Sequence, residues 1–108
     1  YHLGVMFDHG RGVPQDYNQA VYWYKKSADQ GIARAQYNLG VMHFLGHGVE
    51  KDPIEAYAWI CIAGVYGEPV SDAKILVSKV MKSEQITKAK ERFKRIESEI
   101  EGNNKGGN

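Results

Sequence analysis

His43 and His47 stand four residues apart in the stretch HFLGH, a spacing that on an unbroken helix would put two imidazoles on one face, ready to share a zinc ion. The Glu that makes such a pair a zinc-protease motif is missing, and Gly46 and Gly48 bracket His47, so the helix is expected to end before it. His43 then reads as a replacement at an aromatic position, and His47 as an exposed loop residue. His9 and His47 hold near-equivalent loop positions, an alternative that needs two loops to meet. No metal site is predicted. The single cysteine, Cys61, lies between Ile60 and Ile62 with no His within helical reach. A reactive thiolate needs a cationic neighbour or a helix N-terminus, so Cys61 reads as a packed or partly covered thiol. It excludes an internal disulfide and leaves the redox compartment open. Gly10-Arg11-Gly12 and Gly46-His47-Gly48 look like phosphate loops, but neither follows a strand or runs into Gly-Lys-Ser/Thr, so both are expected to be turns. No Ser, His and carboxylate residues show triad spacing. The expectation is a non-enzymatic chain with no catalytic residues and no cofactor.

The elements that carry these residues are written twice. A shift of 36 positions pairs Tyr1 with Tyr37, Leu3 with Leu39, Gly4 with Gly40, Val5 with Val41 and Met6 with Met42. It goes on through Gly10 and Gly46, Gly12 and Gly48, Val13 and Val49, and Asp16 and Asp52. Ala20 and Ala56, Trp23 and Trp59, and Gly31 and Gly67 complete the set. A fixed period of this length marks stacked repeats. Each unit reads as two helices. Asp16 and Asp52 precede Gln19 and Glu55 by three residues, a variant of the capping box, and Pro53 falls at a first helical position. Gly31 and Gly67 close these second helices, and Gly-x-Gly-Val breaks the first ones.

Packing accounts for the shared residues. Gly inside a helix costs about 1 kcal/mol relative to Ala, so Gly4 and Gly40 imply close approach of a neighbouring helix, with Ala20 and Ala56 on its other side. Trp23 and Trp59 fill the wider space between units, and Leu3 and Leu39 complete the structural set with Gly31 and Gly67. A unit of this size cannot hide its apolar face alone, so stability must come from its neighbours.

Ala-x-x-x-Leu-Gly-x-x-aromatic-x-x-Gly-x-Gly-Val-x-x-Asp, followed by Ala-x-x-Trp and a closing Gly, resembles the Sel-one-like repeat, a relative of the tetratricopeptide repeat. Ala35, Leu39, Gly40, Gly46, Gly48, Val49, Asp52, Ala56, Trp59 and Gly67 carry the pattern in the second unit. Leu3, Gly4, Gly10, Gly12, Val13, Asp16, Ala20, Trp23 and Gly31 carry it in the first. The chain departs from it at Phe7 and His43, where the family usually has Tyr. The resemblance implies an all-α fold, with helical hairpins stacked into a short right-handed, tetratricopeptide-like solenoid. It also implies a scaffold that binds other proteins; hydrolase activity, suspected in some relatives, is a weaker alternative.

The ending differs. Ser71 is the expected N-cap of a third first-type helix holding Ala73, Leu76, Val77 and Val80, and Ser83 that of a longer helix reaching about Glu101. In the longer helix Ile86, Ala89, Phe93, Ile96 and Ile100 are spaced 3, 4, 3 and 4, a narrow stripe of heptad type. This is the pattern of a capping helix over the last exposed core. If the helix overhangs, Ile96 and Ile100 would instead pair with a second copy or a partner helix, making a monomer or weak homodimer. One domain over residues 1–101 is predicted: repeat 1 at about 1–32, truncated at its N-terminus, repeat 2 at about 33–68, and terminal helices at about 71–101. Residues 102–108, without apolar content, are expected to be a disordered tail.

Charge narrows the partners. Residues 1–73 carry −3, residues 74–95 carry +6 and residues 96–108 carry −2. The basic stretch lacks interleaved aromatics to stack on bases, so it is read as a solvated helix face rather than a nucleic-acid site. No apolar run approaches the roughly 20 residues that span a bilayer, and membrane insertion is not expected. Cytoplasmic, periplasmic and secreted locations all stay open. The concave face of such a solenoid is lined by the first helix of each unit, which points to a protein or peptide partner there. Its columns are His2, Asn38 and Lys74, and Val5, Val41 and Val77, with Arg34 and Leu45 beside them.

Overall fold

The computed structural model describes residues 1–106, with side chains through residue 103. Six helices follow in order: α1 (His2–His9), α2 (Tyr17–Asp29), α3 (Ala33–Leu45), α4 (Pro53–Val65), α5 (Ser71–Ser78) and α6 (Ser83–Gly106). Among the described residues there is no strand. α1 packs on α2 and α3 on α4 as hairpins, α2 packs on α3 to join the two units, and α6 lies along α4 and reaches α2.

The repeated residues build repeated joints. Gly10 and Gly46 take left-handed conformations with φ of 66° and 74°, ending α1 and α3. Asp16 Oδ1 accepts from the Gln19 N–H at 3.2 Å, and Asp52 Oδ1 accepts from the N–H groups of Ile54 and Glu55 at 3.0 and 3.2 Å. The cap residues' own N–H groups donate to the Phe7 and His43 carbonyls at 2.9 Å. Each cap therefore also stitches its hairpin shut, a job the expected box would have left to the Gln or Glu side chain.

Gly4 and Gly40 are both buried, as close approach requires. A Cβ on Gly40 would lie 2.8 Å from Ile60 Cγ1 and 3.1 Å from the Ala56 carbonyl oxygen. At Gly4 the nearest group is the Tyr24 ring, 2.6 Å from such a Cβ, rather than the expected Ala20. Tyr24 stands where Ile60 stands one repeat later; Ala56 does take part at Gly40 as expected, and in both units the larger neighbour one turn on comes closer still.

Gly48 lies on the joint between units. Its φ is 77°, and a Cβ there would overlap the Tyr17 carbonyl at the start of α2. Gly12 has the same φ but only Met6 Cε nearby, at 3.5 Å. Left-handed strain alone costs roughly 1–2 kcal/mol. Gly12→Ala should therefore cost about 1 kcal/mol, and Gly48→Ala about 3 kcal/mol, because backbone cannot step aside as a side chain can. Urea denaturation of the two variants checks the difference; equal losses would show that the joint is looser than drawn.

Two clusters form the core. The larger holds Ala20, Tyr24, Ala28, Ala35, Leu39, Met42, Ala58, Trp59, Ile62, Ile96 and Ile100; the smaller holds Ala56, Tyr57, Ile60, Val77 and Ala89. Several expectations need correcting. Ile96 and Ile100 are each 1% exposed, so they do not overhang and offer no contact to a second copy. The helix is long because its stripe reaches back from α4 to α2. Leu3 is 43% exposed although Leu39 is buried: Leu39 has α2 before it to pack on, and α1 is the first helix here. Trp23 is half-buried, for α6 covers Trp59 and not Trp23. Ser71 lies inside α5, whose N-cap is Val70, and makes no capping bond. α6 starts at Ser83, while Lys82 supplies the first carbonyl, to Ile86 N–H, and its own N–H is met by Gln85 Oε1 at 2.8 Å. α6 runs through Gly106 rather than ending near 101, since extending a packed helix adds a bond for each residue fixed. Of the expected tail, residues 107–108 lie outside the described residues.

Candidate functional site

α5 is the element that departs from the repeat, and it makes the site. It is tied to α4 through Val77 and through Val70, which approaches Gly64 so closely that a Cβ there would lie 2.7 Å from Val70 Cγ2. It packs on α4 far more than on α3. A groove enclosing about 400 Å³ is left between them. Tyr37, Val41, Phe44 and Leu45 of α3 form one wall, and Asp72, Ala73 and Leu76 of α5 form the other. Buried Ile60 and Val77 make the floor. Leu45 and Leu76 are 50% and 57% exposed, so large aliphatic side chains face solvent across a shaped cavity. Water gains nothing from that arrangement; an apolar guest would.

Beside the groove, a recess of about 420 Å³ lies between α1 and α3. Val5, Arg34, Tyr37 and Asn38 line it, with Glu68 at its edge, where Arg34 Nε lies 3.6 Å from Glu68 Oε1. Behind it the Tyr24 hydroxyl donates to Asp8 Oδ2 at 2.8 Å. Burial, and then that carboxylate, push the Tyr24 hydroxyl well above the usual tyrosine range, so it stays a donor.

The expected concave columns divide. Val5, Arg34, Asn38, Val41 and Leu45 line the recess and the groove. Val77 is 2% exposed and acts as floor, not contact. His2 lies elsewhere, beside Leu3 and Trp23. Lys74 projects from the other side of α5, beside Tyr57 and Cys61. The 36-residue period cannot carry a column into α5, because α5 is rolled to seat Val77 on α4. Asp72, Leu76 and Phe44 escaped the sequence reading. The signal for Leu76 was present, as an apolar residue in a helix that has no partner on that side.

The histidines do not gather. His47 stacks on Tyr17 with ring centroids 4.3 Å apart, half-buried rather than free in its loop. His43 is half-buried, and burial holds its imidazole below the usual range despite Glu55 and Asp52, which act the other way. Arg92 Nε donates to Glu55 Oε1 nearby, tying α6 to α4. Among the described residues no three or more His, Cys, Asp or Glu side chains come together as a metal set, and no helix is long and apolar enough to cross a membrane.

The Sel1 repeat model matches residues 1–32 and 33–64, the two hairpins just described. The chain belongs to the Sel1 repeat family. Over 49 residues this Sel1 repeat chain is 44% identical to a sel1-like repeat-containing protein of Acanthamoeba polyphaga mimivirus, a match covering 45% of this chain and 9% of that one. It is similar to the crystal structure of a protective antigen of uropathogenic Escherichia coli displaying an SLR fold, with a TM-score of 0.85 and 28% identity over 93% of this chain and 22% of that chain. It is also similar to a Sel1 repeat protein from Oxalobacter formigenes, with a TM-score of 0.61 and 37% identity over 62% of this chain and 28% of that chain. The chain thus spans less than a third of the length of each of these relatives. Sel1 repeats generally serve as non-enzymatic scaffolds for protein interaction.

Proposed function

We propose that this Sel1 repeat chain is a non-enzymatic interaction module that seats a peptide or helix of a protein partner in the groove between α3 and α5. The observation that carries the reading is the exposed pair Leu45 and Leu76 facing each other above a floor of Ile60 and Val77. A bulky aliphatic or aromatic side chain of the guest fills the groove, in the manner of a helix or strand laid on an apolar slot. Asp72 on the rim favours a Lys or Arg beside that anchor. Val5, Arg34 and Asn38 receive the next stretch of the guest, with the Asn38 amide able both to donate to and accept from its backbone.

Selection of displayed random peptides on the wild-type chain should yield sequences with an apolar anchor flanked by basic residues. Leu45→Asp with Leu76→Asp should weaken the selected peptides by at least about 2 kcal/mol, or roughly thirtyfold, as loss of a central anchor site does. Both positions are half-exposed, so the variant keeps its fold. Selected peptides that bind the double variant as well as wild type would place the site elsewhere. A second reading is that the chain serves structurally within a repeat array, with the exposed Leu3 side of α1 as a surface for a neighbouring unit. The two readings are compatible, because they use different faces.

A further inference from the structure

Seven of the eight basic side chains between residues 74 and 95 have no acidic partner among the described residues; only Arg92 is paired, with Glu55. Two of the seven, Lys74 of α5 and Lys90 of α6, line a cavity of about 560 Å³ between α4, α5 and α6, on the other side of α5 from the groove. The volume lies within the range of small-ligand sites. Tyr57, Val70 and Phe93 give it apolar walls, and Cys61 lines it as well. Glu68 is the one carboxylate among its lining residues, and it leans away toward Arg34. Separate helices thus bring two lysines to one cavity, and among the described residues neither has an acidic partner within ion-pair distance.

We propose that this cavity binds an anion carried on an apolar body, with a carboxylate set between Lys74 and Lys90 and the body against Phe93, Tyr57 and Val70. Charge complementarity selects the ligand, and the apolar walls hold it. The carboxylate belongs either to a free small acid or to the C-terminus of a peptide. Burial raises the Cys61 thiol, with Lys74, Tyr57 and Lys90 offsetting it only in part, so the thiol is a slow and discriminating reporter rather than a reactive group.

Cys61 is the only thiol in the chain, which makes the test direct. Its thiolate attacks an aromatic disulfide, forms the mixed disulfide and releases one aromatic thiolate, read by absorbance as nitrothiobenzoate or, after taking up a proton, as pyridinethione. Dithiobis(nitrobenzoate), an anionic aromatic carboxylate, is compared with neutral dithiodipyridine, each rate being normalised to a free model thiol. The anionic-to-neutral ratio should fall about fivefold in Lys74→Gln/Lys90→Gln. It should hold in Lys79→Gln/Lys82→Gln, which changes net charge equally away from the cavity. Losing both lysines raises the thiol further and slows the neutral reagent too, so the ratio cancels that effect, and an unchanged urea midpoint shows that the variants are folded. Added 3-phenylpropionate should slow the wild-type reaction while 3-phenylpropionamide does not. An acetylated peptide ending in a free Phe carboxylate that protects at lower concentration than 3-phenylpropionate identifies the peptide source; the reverse order identifies the small acid. Equal ratios in all three proteins, an equal fall in the Lys79/Lys82 variant, or equal protection by acid and amide overturns the site. None of these outcomes touches the α3–α5 groove.

Discussion

Ile96→Glu is expected to unfold the molecule rather than to change its state of assembly. Ile96 is 1% exposed and packed in the larger core cluster together with Trp59, Ile62 and Ile100. The substitution removes an aliphatic side chain worth roughly 1.5–3 kcal/mol of burial and puts a carboxyl where no partner waits, adding a further penalty of a few kcal/mol. The sum, about 4–6 kcal/mol, approaches the whole stability of a domain of this size. With a urea slope of roughly 1–3 kcal/mol/M, the midpoint should fall by more than about 1 M, or the folded state should vanish from the circular dichroism spectrum. Ile96→Val should cost only about 1 kcal/mol. A variant that kept the wild-type midpoint while light scattering showed a smaller particle would mean that the stripe faces another molecule after all.

Trp59→Ala should cost about 3–5 kcal/mol, and Trp23→Ala about half as much, although the two residues are repeats of one another. Trp59 is 2% exposed, with α6 packed along α4 and the Lys25 ammonium 5.6 Å from its ring centroid. Trp23 remains half-buried, touched by Tyr22 in an edge-on arrangement with ring centroids 5.0 Å apart and by the Lys26 ammonium. Urea denaturation of the two single variants measures the gap directly. Equal losses would show that α6 is not what distinguishes the units.

What could be read from residue types was mostly local. Gly10, Gly46, Gly31 and Gly67 mark helix ends because a left-handed residue is needed there, and the structure gives all four positive φ. Asp16 and Asp52 mark helix starts because a short side-chain oxygen must meet orphan N–H groups. These requirements are met within a few residues, so the chain displays them openly. The facing of α5 was not legible. Its roll depends on Val77 and Val70 finding Ile60 and Gly64 on another helix, and periodicity shows only that one side is apolar. The same limit explains Ile96 and Ile100: a 3–4 stripe states that something covers it, and both α2/α4 and a second copy satisfy the stripe equally. Of the concave set, Val41 and Leu45 could be found because α3 keeps the repeat register. Asp72 and Leu76 could not, because α5 abandons it.

α6 is more than a lid on the last unit. In a simple stack each module touches only its neighbours, and melting can start at either end and travel. Here one helix shares a hydrophobic cluster with residues of α2, α3 and α4 at once. Fraying of either hairpin therefore strips cover from a surface the other also uses. The two modules are wired in common rather than in series, and a disturbance at one should be felt across the whole chain.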